Sequence, residues 1–234
     1  MLWYKGWLET RYKLCMALCI MGLILFVQFS VRTTASVSSD VAVFGALMVS
    51  IPSLVTMICA ILAGAGVATQ SSFRANKGLH GSMLFTLSLP VSRLRLLAVR
   101  ASIGWLEGAG AMAALCCGLW LLLPSLRATV TAVEMFEYTG TLIACASALY
   151  FLSVLLATFL DDQWRVWGTM IGSAVLWWLF SHTPLPASAN IFQAMGKSSP
   201  LIAHTIPWTA IAFSLGLAAV LFFAALKVVQ AREY

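Results

Sequence analysis

The sequence predicts an all-α, polytopic membrane protein, and two observations carry that expectation. The chain is 61% hydrophobic and only 9% charged over 234 residues, well below the charge of an average soluble domain. Its apolar residues are gathered into runs near the roughly 20 residues that a helix needs to cross a bilayer. Six such runs stand out: 14–31, 41–67, 94–123, 138–160, 164–180 and 209–229. The stretches between them leave no room for an extensive soluble domain. A single transmembrane domain over 1–234 is therefore expected.

The first run follows an aromatic and basic lead, Met1–Lys13, with Trp3, Tyr4, Trp7 and Tyr12 among Lys5, Arg11 and Lys13. Aromatic and cationic side chains are at home at the headgroup level. The lead is predicted to be an interfacial helix that enters the first span at an angle. No small-residue cleavage site follows, so a retained segment is expected rather than a cleavable signal.

Spans two and three carry small residues at packing spacings, including Ala60, Ala63, Gly64 and Gly66, then Gly104, Gly108 and Gly110. Such residues let helices approach closely where lipid supplies no hydrophobic drive. Pro52 should kink the second span. These small faces suggest that a second copy of the chain packs against this one.

Glu107 stands inside the third run, where a carboxylate costs roughly 2.5–3.5 kcal/mol on insertion scales. Two readings stay open: a group on a substrate or proton path, or a hydrogen-bonding residue that locks two helices. Asp161 and Asp162 close the fourth run and are expected to cap the fifth helix from Gln163 or Trp164 onward. The loop Ser181–Trp208 holds Pro184, Pro186, Pro200 and Pro207. Within it Ser188 is expected to cap a short helix through Met195 that stops at Gly196. Ile191, Phe192 and Met195 would form its apolar face, and the helix would be re-entrant or interfacial.

Topology follows from Lys and Arg. With the N-terminus inside, the cytoplasmic side receives Lys5, Arg11, Lys13, Arg74, Lys77, Arg93, Arg95, Arg100, Arg165, Lys227 and Arg232, and the outer side only Arg32, Arg127 and Lys197. That bias puts both termini in the cytoplasm and accounts for the net charge of +6. A nucleic-acid partner is not needed to explain it.

Cys15, Cys19, Cys59, Cys116, Cys117 and Cys145 all fall within predicted spans, where they act as small packing residues. Cys15 and Cys19, one turn apart beside Met16, are a remote copper candidate. No zinc spacing occurs, and His182 and His204 lie too far apart in the chain to argue for a metal. Gly196-Lys197-Ser198 ends like a phosphate-binding loop, but Ile191 occupies the place of the required first glycine. No catalytic residue, metal ligand or cofactor site is assigned to this chain.

The stretch 71–100 is the most informative. It holds Arg74, Lys77, Arg93, Arg95 and Arg100, no acidic residue, and Pro90. It is predicted to form an amphipathic helix at the cytoplasmic surface, over 71–90, that turns into the third span. Phe73-Arg-Ala-Asn-Lys-Gly78, then Leu84-Phe-Thr-Leu-Ser-Leu-Pro-Val-Ser-Arg93, with Leu96, Leu97 and Arg100, resembles the signature of the type-2 ABC exporter permeases. It departs from that signature at Ala75-Asn76, where many relatives carry a glutamate.

The resemblance implies a membrane-spanning permease subunit of the bacterial inner membrane, working as a pair with a second permease copy. Separate ABC ATPase subunits, which bind ATP and Mg, would dock from the cytoplasm. The segment 71–90 would be the coupling helix, with Phe73, Arg74, Lys77, Met83, Leu84 and Leu87 at the ATPase. Asp161 and Asp162 would make a second, smaller contact. Two rival classes are a non-transporting membrane anchor within a larger complex and an intramembrane enzyme built on Glu107 or the histidines. Cargo cannot be read from these residues.

Overall fold

The computed structural model describes residues 3–4, 7, 10–20, 22–23, 40–63, 92–122, 124–160, 162–183 and 186–231. Among these the protein is all-helical. A helical stretch covers 10–20. It is followed by α1 (Asp40–Leu62), α2 (Arg93–Leu122), α3 (Pro124–Thr129), α4 (Ala132–Leu156) and α5 (Asp162–His182). A 3₁₀ turn (Ala187–Ala189) and two short helices, α6 (Ile191–Met195) and α7 (Pro200–Ala203), lead to α8 (Trp208–Ala231).

Local chemistry explains most of the boundaries. Ser92 Oγ accepts the Arg95 N–H at 3.3 Å and starts α2. Pro124 opens α3, where its missing N–H costs nothing. Thr131 and Glu134 close a capping box that starts α4, with the Thr131 N–H donating to Glu134 Oε2 at 2.8 Å and the Glu134 N–H to Thr131 Oγ1 at 3.3 Å. This corrects the fourth run: the helix begins at Ala132, not near Tyr138, and gives way to turns from Ala157. The Thr131-x-x-Glu134 signal was available in the sequence, but hydropathy alone passed over it. α5 begins at Asp162, one residue before the expected Gln163. The helix at 10–20 runs through residues 13 and 14 without the break expected between an interfacial lead and a first span.

α4 is the hub of the bundle, packing against α1, α2, α5, α6, α7 and, most extensively, α8. The α8 face toward the core is a row of small buried residues, Ala210, Ser214, Ala218 and Ala225, spaced to let α4 approach closely. Ser214 Oγ lies 3.0 Å from Ala144 O and 2.9 Å from Cys145 O, so it joins the two backbones directly. On the other flank Trp105 Nε1 donates to Ser147 Oγ at 3.0 Å and Tyr150 Oη to Ala101 O at 2.8 Å, tying α2 to α4. These four buried or half-buried polar groups are thus paired across helices, as a low-dielectric interior favours.

The glycines of α2 divide by environment. A Cβ on Gly104 would meet Tyr150 Oη at 2.5 Å and the Leu62 carbonyl at 3.0 Å; one on Gly108 would lie 3.7 Å from Leu62 Cδ1; one on Gly110 would meet nothing within 4 Å. The Gly104 and Gly108 face is therefore filled by α1 and α4 of the same chain. Gly64 and Gly66, named for the same packing, lie outside the described residues. Cys59, Cys116 and Cys145 are buried, while Cys15, Cys19 and Cys117 are exposed, and all six are free.

Among the described residues three helices are long and apolar enough to cross a membrane: Leu97–Leu121, Ala132–Leu156 and Trp208–Ala231. The expected six are not all met. α5 is a 21-residue helix but is not among the three; besides four tryptophans it carries Asp162, Gln163, Arg165, Thr169 and Ser173. In α1, a 23-residue helix, the side chains are described from Ser50 onward, and the apolar stretch among them is Ser50–Leu62. Large apolar side chains cover the outside of the bundle, including Phe136, Trp167, Ile171, Val220 and Phe223. A surface of this kind suits lipid, not water.

Candidate functional site

A cavity of about 670 Å³ opens between α1, α5 and the segment 190–197. Ser53, Ser173 and Ala174 line it, and their small side chains leave the space unfilled. Three of its four described hydroxyls have their protons engaged: Thr56 Oγ1 donates to Pro52 O, Ser173 Oγ to Met170 O and Ser181 Oγ to Trp177 O, each at 2.8 Å. Trp177 and Phe192 supply apolar wall, and Gln193 and Lys197 stand at the same end as α6. The volume falls in the range of roughly 300–1,000 Å³ typical of ligand pockets. A second cavity of about 440 Å³ shares Asn190 and Gln193 and lies against Trp208 and Thr209.

The short helix α6 forms one wall, and several bonds hold it in place. Asn190, not the expected Ser188, is its cap: Asn190 Oδ1 accepts from the Phe192 N–H at 3.0 Å and the Gln193 N–H at 3.2 Å. Ser188 instead belongs to the 3₁₀ turn, where its carbonyl accepts from Thr209 Oγ1 at 2.6 Å. The helix does stop at Gly196. Ile191, Phe192 and Met195, expected as the apolar face, are all buried. Tyr138 Oη donates to the Met195 carbonyl at 3.1 Å, pinning α6 to α4. Tyr138→Phe leaves that carbonyl without its donor. It should lower stability by about 1–3 kcal/mol, read as a drop in unfolding midpoint in detergent with the helix content kept.

A polar cluster lies away from this cavity. Thr10 Oγ1 donates to Glu107 Oε1 at 2.5 Å, joining the 10–20 helix to α2, and also reaches the Trp7 carbonyl at 3.2 Å. Glu107 Oε2 is buried and makes no hydrogen bond among the described residues. Arg165 is 2% exposed, the largest of the fully buried side chains. The charge count treated Arg165 only as a marker of the cytoplasmic side, whereas the fold draws it into the bundle. Arg165 stands second in the 164–180 run, close to Asp161 and Asp162, so its place at the edge gave no sign of this burial.

The expected coupling residues Phe73, Arg74, Lys77, Met83, Leu84 and Leu87 lie outside the described residues, as does Asp161. Asp162 is the first residue of α5. Among the described residues no three His, Cys, Asp or Glu side chains gather as a metal site requires. His204, the one described non-glycine residue with positive φ, at 50°, pairs instead with Glu134 Oε1 at 3.1 Å.

No family model, no curated protein and no solved structure matches this chain. The functional reading therefore rests on the chain's own residues.

Proposed function

We propose that the protein is the membrane-spanning permease subunit of an ABC transporter, moving a substrate outward at the expense of ATP hydrolysed in a separate subunit. The observation that carries the reading is the stretch Leu84–Arg93 with its basic flanks, placed between two long apolar runs of the sequence. Ser92 caps α2 and Arg93 is its first residue, so this stretch runs directly into a membrane-length helix. A push on a helix at 71–90 would pass into α2 and, through Tyr150 and Trp105, into the hub α4. Work of this kind requires the ATPase to contact two conformations of the permease unequally. A ligand-sized cavity in the bundle suits the same reading.

The proposal includes six crossings, both termini in the cytoplasm of a bacterial inner membrane, and a second permease copy. The Lys and Arg asymmetry supports the orientation. ATP and Mg belong to the partner subunits, and this chain supplies no catalytic residue.

Gentle extraction from native membranes and affinity isolation of the full chain tests the reading. A nucleotide-binding ATPase is expected in stoichiometric amount, with hydrolysis that falls when the permease is removed. Isolation of the chain without any ATPase, from membranes in which it is correctly inserted, would overturn it.

A further inference from the structure

The larger cavity has a polar end at Asn190, Gln193 and Lys197. Among its described lining residues Lys197 is the only charged group, and no carboxylate faces it. Asn190 has committed its Oδ1 to two backbone N–H groups, which leaves its NH₂ as the free part of the amide. Gln193 lies in α6 and Lys197 just past its end at Gly196, and both line the cavity together with Asn190. The protons of Thr56, Ser173 and Ser181 are taken by their own helices, so these three hydroxyls bring acceptor lone pairs, while Ser53 keeps a hydroxyl that can donate. The remaining wall is apolar, with Trp177, Phe192 and Met170.

We propose that this cavity binds an anionic amphiphile, its phosphate or carboxylate held by Lys197, Gln193 and Asn190 and its hydrocarbon lying along Trp177, Phe192 and Met170. A cationic headgroup would meet Lys197 with no carboxylate to offset it, and a wholly polar anion would leave the aromatic wall unused. The proposal rests on the permease reading only in making this cavity a stop on the transport route. The binding itself needs no ATPase.

The test uses the full chain in phosphatidylcholine nanodiscs, titrated calorimetrically with octyl phosphate and, separately, with octyltrimethylammonium and inorganic phosphate. Octyl phosphate should bind saturably, and the other two at least about tenfold more weakly, since a charge-assisted bond and the apolar wall act together. Lys197→Gln should weaken octyl phosphate about tenfold and Lys197→Arg should restore most of it. Ala174 is exposed and lines the cavity, so Ala174→Trp fills the space without disturbing the core and should abolish binding.

Repeating the titration in phosphatidylglycerol nanodiscs identifies the source. Loss of octyl phosphate binding there points to a lipid headgroup as occupant, and unchanged binding to a free amphiphile. Equal affinity for the two headgroups, or full binding in folded Lys197→Gln or Ala174→Trp, overturns the proposal. None of these results depends on an ATPase. The assignment of a ligand can therefore fail while the permease reading stands, and the reverse.

Discussion

Gly104→Ala is expected to destabilise the bundle, while Gly110→Ala, six residues along the same helix, is not. The added methyl at position 104 would fall 2.5 Å from Tyr150 Oη and 3.0 Å from the Leu62 carbonyl. Neither neighbour yields easily. Tyr150 is buried and bonded to the Ala101 carbonyl at 2.8 Å, and the other contact is backbone. Overpacking of a close helix contact costs about 1–3 kcal/mol, enough to outweigh the roughly 1 kcal/mol that alanine gains over glycine in a helix. At Gly110 the space is open, so only that gain remains. Unfolding midpoints in mixed detergent would measure both. Tyr150→Phe removes the nearest clashing atom, so the double variant should recover part of the loss, a coupling that distant sites do not show. Equal midpoints for the two glycine variants would mean that α1, α2 and α4 do not meet as described.

The largest functional effect is expected from Leu84→Asp. If 71–90 docks in a groove of an ATPase, a leucine at its centre is an anchor. Losing such an anchor typically costs 2 kcal/mol or more, roughly thirtyfold in affinity. The aspartate adds the cost of burying a charge. Association with the ATPase, or its coupling to transport, should be abolished while the chain still inserts. Lys77→Ala, a rim charge in this reading, should be mild and act mainly on the association rate. A correctly inserted Leu84→Asp protein that binds and couples normally would reduce 71–90 to an interfacial helix and remove the main support for the transporter reading.

What the sequence determined by itself was the helical, membrane-type character and most helix positions. Hydropathy and end signals are local, so Arg93 after Ser92, and Trp208 after Pro207, mark boundaries with no knowledge of neighbours. Even the start of α4 was local, in Thr131 and Glu134, although hydropathy passed over it. The tertiary structure decided which residues meet. Ser188 and Asn190 are both good caps on sequence grounds; the claim of Thr209 on the Ser188 carbonyl belongs to a contact with α8. Thr10 reaches Glu107 across 97 residues and Tyr138 reaches Met195 across 57, and no periodicity ranks such pairs. The burial of Arg165 and the cavity beside Lys197 are likewise properties of packed helices. They depend on which faces are brought together, and side-chain volume and hydrogen bonding settle that only when the whole bundle closes.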